Sequence, residues 1–218
     1  MKISHVLFFL LFTSLLFSQE FHSKLKLTSD SDTIFWKKYK DELVKKYDLG
    51  FIESNKSNVV FRFWTFGRTI EISKKENRYY GNLSFFVKEN SKNSNKIFKK
   101  VYPLENNKCL AIVKLIDSTK INSIPSDKLI KKWHHGLDGI TYFIETKSDK
   151  EYSFKNYWEP SEQKEVSEAI RIERFINKLY EISEMEEISK QFDNEIPFQG
   201  YTFEGSGIVR MRVLNKED

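Results

Sequence analysis

Cysteine is almost missing. Cys109 is the only one in 218 residues, so no internal disulfide can form, and a core must hold the chain by packing alone. Its surroundings in CLAIVKLI are apolar, which marks it as a packing residue and not a reactive thiol. Glycine and proline are few, eight and four. There is no collagen-like or glutamine-rich tract, no internal repeat, and no linker long enough to divide the chain. Charge of one sign is also missing: 36 basic and 31 acidic residues are mixed throughout and leave a formal +5. A mild excess of this kind favours solubility, and with no concentrated basic stripe it excludes nucleic acid as a partner.

Several chemical signatures are absent as well. No serine lies in a Gly-x-Ser-x-Gly elbow, the histidines lack zinc-site spacing, and Gly205-Ser206-Gly207 has no following helix to cradle a phosphate. No cofactor and no metal is expected. The sequence therefore declares fold better than function.

What is present begins with Lys2 and the apolar run Val6 to Phe17, which closes in Ser18 and Gln19. The run is short of the ~20 residues that span a bilayer and has polar sequence after it, the pattern of a secretory signal peptide over residues 1–18. Cleavage between Ser18 and Gln19 leaves a single domain over 19–218 with net charge +4 once Lys2 is gone. No cysteine stands at that junction to take a lipid. Periplasmic or secreted localisation follows, with no membrane span after the signal is removed.

The mature chain is rich in aromatics, with 19 Phe and 10 Tyr in the whole sequence. After a polar lead-in, Ser31 or Asp32 is placed to cap a helix to Tyr47 with Trp36, Tyr39, Leu43 and Tyr47 on one face. NVVFRFWTFGRTIEIS alternates on both sides of Phe66-Gly67, so a tight turn sets Phe63 against Ile70, Phe61 against Ile72 and Arg62 against Glu71. Trp64 then shares the Arg62 face and needs a helix to cover it. Strands follow at Tyr79 to Lys88 and Lys96 to Tyr102, and a helix from Asn106 or Asn107 to Thr119.

The chain is organised around Trp133 to Leu179. Ile140, Tyr142 and Ile144 alternate in one strand, EYSFKNYW forms the next, and pairing Glu145 with Glu151 gives one continuous apolar face. Pro160 and Ser161 start a helix with apolar residues from Val166 to Leu179, and Ile182 to Phe192 continues it or forms another. A last strand carries Val209, Met211 and Val213 inward. The sum is an α+β fold: a mostly antiparallel sheet of about six or seven strands with helices packed mainly on one face.

Two clusters carry the functional expectations. His134, Asp138 and Glu145 are candidates for an acid/base or metal-dependent hydrolase, although Asp138 also suits a turn and Glu145 a solvated strand face. Trp133, Tyr157 and Trp158 flank the open end of the hairpin, where such residues either form a binding hot spot or plug the core. A non-enzymatic binding module, with a protein or envelope component as partner, is the leading expectation; an inhibitor or immunity protein is a special case of it.

The pattern DG-x-TY-x-x-E from Asp138 to Glu145, then Y-x-x-x-x-YW-x-P from Tyr152 to Pro160, with the Ser-Gln-Glu junction, resembles uncharacterised exported bacterial proteins. The resemblance covers about a quarter of the chain. It implies export and an α+β domain, and brings no known activity.

Overall fold

The computed structural model describes residues 25–32, 35–57, 59–204 and 208–211. The expected signal peptide and Val213 lie outside the described residues. The fold is α+β, built on one nine-stranded sheet. The strands are β1 (Lys26–Leu27), β2 (Val59–Thr65), β3 (Arg68–Lys75), β4 (Arg78–Glu89), β5 (Ile97–Leu104), β6 (Thr141–Lys147), β7 (Glu151–Trp158), β8 (Gly200–Phe203) and β9 (Val209–Met211). They run in the order β1-β7-β6-β2-β3-β4-β8-β9, with β5 on the other side of β4. All pairs are antiparallel except β1 on β7, which makes the sheet mixed and larger than expected. The two unforeseen strands are β1 and β8, of two and four residues, too short to show a period.

The β2–β3 hairpin has the expected register, Phe63 opposite Ile70 and Arg62 opposite Glu71. Gly67 completes its two-residue turn at φ +60°; a Cβ there would stand 2.7 Å from the Phe86 carbonyl oxygen, so only glycine fits without a shift. The β6–β7 register differs from the expected one. Glu145 pairs with Phe154, not Glu151, a displacement of three residues. An odd displacement exchanges the faces. Tyr142 and Ile144 therefore face one side, Tyr152 and Phe154 the other, and the single apolar face becomes two half-faces, both covered.

Among the described residues four α-helices do the covering: α1 (Phe35–Lys46), α2 (Asn106–Thr119), α3 (Ser167–Ser183) and α4 (Met185–Glu195). The main core joins α2, α3 and α4 to Phe61, Phe63, Ile70, Leu83, Phe85 and Ile144. Cys109 is fully buried in it and sits over Gly81, as its apolar surroundings foretold. Helix α3 starts at Ser167; Pro160 to Glu162 is only a 3-10 turn, because Gln163 and the residues after it break the spiral before Val166. Glu184, in the left-handed region at φ 53°, separates α3 from α4.

Among the described helices α1 alone lies on the opposite face, where Leu43, Val44 and Tyr47 meet Val60, Trp64, Phe86 and Phe154. It ends on Asp48 at φ 47°, with the Leu49 amide donating back to the Val44 carbonyl in a Schellman closure. The expected capping of α1 by Ser31 or Asp32 turns on residues 33–34, which lie outside the described residues; the Ser31 hydroxyl accepts from the Phe154 amide and the Asp32 amide donates to the Phe154 carbonyl.

These contacts are part of a larger arrangement along the outer edge of β7. Lys26 and Thr28 amides donate to the carbonyls of Lys150 and Tyr152. Further along, the Asn156 amide donates to Ser126 Oγ and the Trp158 amide to Asp127 Oδ2. At the other end of the sheet β9 is exposed, Val209 and Met211 included, so the inward placement expected for those two is not found: among the described residues three of the strand pair, and no helix covers Val209 or Met211.

Candidate functional site

Tyr157, Trp133 and Trp158 do not form a common surface. Tyr157 is fully buried and its hydroxyl donates to the Ile124 carbonyl at 2.9 Å. Trp133 is 8% exposed, and its indole N–H donates to the Trp158 carbonyl at 3.0 Å. Only Trp158 is half-exposed, and its ring lies against Gly136. Trp133 and Tyr157 plug the end of the main core, held there because each polar tip reaches a backbone carbonyl, and Trp158 lies outside that core.

Nor do His134, Asp138 and Glu145 come together. His134 and Asp138 are exposed on the loop before β6, the His134 backbone held on both sides by the Gln163 amide. Glu145 is wholly buried beneath α1. Among the described residues no group of three or more His, Cys, Asp or Glu is placed to hold a metal. The neighbouring His135 is the histidine with a carboxylate: its Nε2 is 3.2 Å from Oδ2 of the buried Asp127. Burial pushes the Asp127 carboxyl up, against the pull of the Trp158 amide and His135. Its other oxygen accepts from Asn156, which bonds Ser126 in turn, so this network serves the β7 edge.

Glu145 is the centre of a buried charged cluster that sequence reasoning missed. Lys40, on the sheet-facing side of α1, lies 2.9 Å from it with no exposure. The Tyr152 hydroxyl donates to it at 2.7 Å and the Trp64 indole N–H at 2.5 Å. Arg62, its cross-strand neighbour on β2, approaches to 3.8 Å and forms its principal pair with Glu71. Burial opposes the charge of Lys40, but Glu145, Glu53 and Asp41 together outweigh it and hold the ammonium above its ordinary value. Burial and the same carboxylate push the Tyr152 phenol up, so it stays a donor. The cluster fixes the rotamer and tilt of Trp64, whose ring also carries Arg62 at 5.7 Å.

Trp64 is one wall of an open cleft of about 280 Å³ between α1 and the sheet. Seven of its thirteen lining residues are aromatic, and that density in an unfilled space distinguishes it from a core. Phe35, Trp36 and Tyr39 come from α1 at one side; Trp64, Phe66, Phe86 and Phe143 form the floor and far side. Phe35 is 67% exposed and stands as a lip. Trp36 packs on Phe35 edge-on at 5.0 Å and on Phe143 at 5.5 Å. Among the described residues lining the cleft, Glu204 is the only charged one. Its Oε2 accepts from Tyr47 and from Lys46, and its charge, after burial, helps push the Tyr39 phenol up to about 12.

The signal for this cleft was in the sequence as two halves: the aromatic face of the first helix and the Arg62/Trp64 face of the first strand. Nothing showed that helix and strand leave a gap between them. No family model matches the chain, and no curated protein matches it significantly.

Proposed function

We propose that this chain is an exported binding protein whose aromatic cleft takes a small ligand with an apolar body and a cationic head. The observation that carries this reading is the lining itself: seven aromatic rings and one carboxylate, Glu204, around an open space of about 280 Å³. Ring faces attract a cation and tolerate any apolar stem, while the one carboxylate, paired through Oε2 with Lys46 and Tyr47, leaves no unpaired cation in the lining to favour an anion. Trp64 is held in place by Glu145 before any ligand arrives, which lowers the cost of ordering the site. Export rests on the leader-like residues 1–18 and on the resemblance to exported bacterial proteins. A hydrolytic or metal-dependent role for His134, Asp138 and Glu145 draws no support from a geometry that seals Glu145 beneath α1 and leaves the other two on an exposed loop.

Titration of tryptophan emission with benzyltrimethylammonium, against benzoate as the anion of similar bulk, tests the reading. The expected result is a saturable response to the cation alone, weakened about tenfold or more by Trp36→Ala. Equal responses to both ions, or none to either, would overturn it.

A further inference from the structure

The other face of the sheet holds a second, chemically different cavity of about 330 Å³, between the C-terminal half of α2 and the ends of β2, β3, β6 and β7. Phe61, Ile72 and Ile116 give it an apolar floor. Against that floor stands Ser153, 6% exposed, whose hydroxyl is buried and has no hydrogen-bond partner among the described residues. An unmet buried hydroxyl is costly, and an apolar residue would remove the cost. Its cross-strand partner Thr146 brings a second hydroxyl into the same lining. We propose that this cavity is a binding site for an uncharged, polyhydroxylated molecule of about the size of a monosaccharide.

The rim supports that class over its competitors. Asp117, Glu151 and Asn122 line it, residue types whose oxygens accept from vicinal hydroxyls. Two lysines line it too, but the Lys147 ammonium is turned away onto the Asn55 carbonyl. That leaves one lysine, Lys74, and two carboxylates, Asp117 and Glu151, in the lining, a balance unfavourable to phosphate and other anions. Lys74 lies over the Tyr79 ring, 5.7 Å from its centre, so its ammonium is already engaged by a residue of the lining. A fully apolar ligand is disfavoured, since it would leave Ser153 and Thr146 unpaired. The volume lies within the range of small-molecule sites, roughly 300 Å³ and above.

The test is saturation-transfer NMR of the purified chain with a panel of neutral hexoses, N-acetylhexosamines and their disaccharides, with inorganic phosphate as the anionic control. At least one neutral sugar is expected to show saturable transfer, with affinity falling about tenfold or more in Ser153→Val and in Asp117→Asn, and unchanged in Trp36→Ala. Ser153→Val and Asp117→Asn are checked for folding by their denaturation midpoints, and Asp117→Asn, on the exposed side of α2, keeps the test valid should Ser153→Val unfold. Transfer to no member of the panel overturns the proposal, and so does binding that survives both cavity variants. Loss of sugar binding in Trp36→Ala alone places the sugar in the aromatic cleft and overturns it equally. A gain of stability in Ser153→Val with no sugar bound by the parent chain shows a water-filled cavity and also rejects it.

Discussion

The two faces of the sheet are made by the same strands yet solve burial differently. On one face three helices close over aliphatic and aromatic side chains, and the packing is hydrocarbon apart from Lys155, which reaches out to Asp30. On the other a single helix brings a lysine with it, and Lys40, Glu145 and Arg62 are desolvated together under α1. Hydrocarbon packing tolerates imprecision in exchange for shared area, whereas a buried ion cluster fixes direction: it holds Trp64 at one angle and leaves the space beside it open. The closed face supplies stability, and the ionic face supplies a shaped aromatic wall.

That contrast is open to direct attack. Phe175→Ala on the hydrocarbon face and Glu145→Gln on the ionic face are each expected to cost about 3–5 kcal/mol in urea denaturation, the first by a cavity and the second by stranding Lys40. A cost below about 1 kcal/mol for Glu145→Gln would mean that the cluster is already hydrated, and the distinction between the faces would fall. The next effect is coupling. Lys40→Met combined with Glu145→Gln should destabilise less than the sum of the two, by about 0.5–3 kcal/mol, and a double-mutant cycle measures it.

A smaller effect concerns pH. The folded state holds Lys40 above its ordinary value, so its stabilisation is complete below the unfolded value of about 10.4 and is lost as pH rises through the folded one. The buried tyrosines, Tyr39 among them, shift the same way and add to the alkaline loss. Comparing denaturation midpoints of the parent and Lys40→Met across this range isolates the lysine, because the tyrosines remain in both; parallel curves would remove it as a source. The smallest effect on stability belongs to Phe35→Ala. The exposed lip should change unfolding by no more than about 0.5 kcal/mol while weakening capture of benzyltrimethylammonium, which separates the cleft's function from the fold's support.

Most of the architecture was legible where two independent patterns agreed. In the β2–β3 hairpin, apolar alternation and the Arg62–Glu71 pair demand the same register, and the structure has it. A covering helix over Trp64 was likewise expected, and α1 is the one that supplies it. In the β6–β7 hairpin, alternation was the only guide and it misled. Both faces are buried, and polar residues occupy core positions: Lys155 reaches Asp30 and the Asn122 carbonyl, and Asn156 serves the β7 edge. Glu145 was taken for a surface carboxylate because its partners Lys40, Arg62, Trp64 and Tyr152 lie far off in the chain, and no local period reports such a meeting. Cavities are still less legible, since a sequence records the walls and not the space they fail to fill.

The fastening of residues 26 to 32 and of Ser126 and Asp127 along β7 has a consequence for how copies of this chain can meet. An unpaired strand border is an invitation to a neighbour's backbone, and here the border of β7 has already been answered by its own chain. The far border, at β5 and β9, has no such seal among the described residues. Strand addition at the β7 flank would have to displace the chain's own segments first, so that flank is closed to a neighbouring copy.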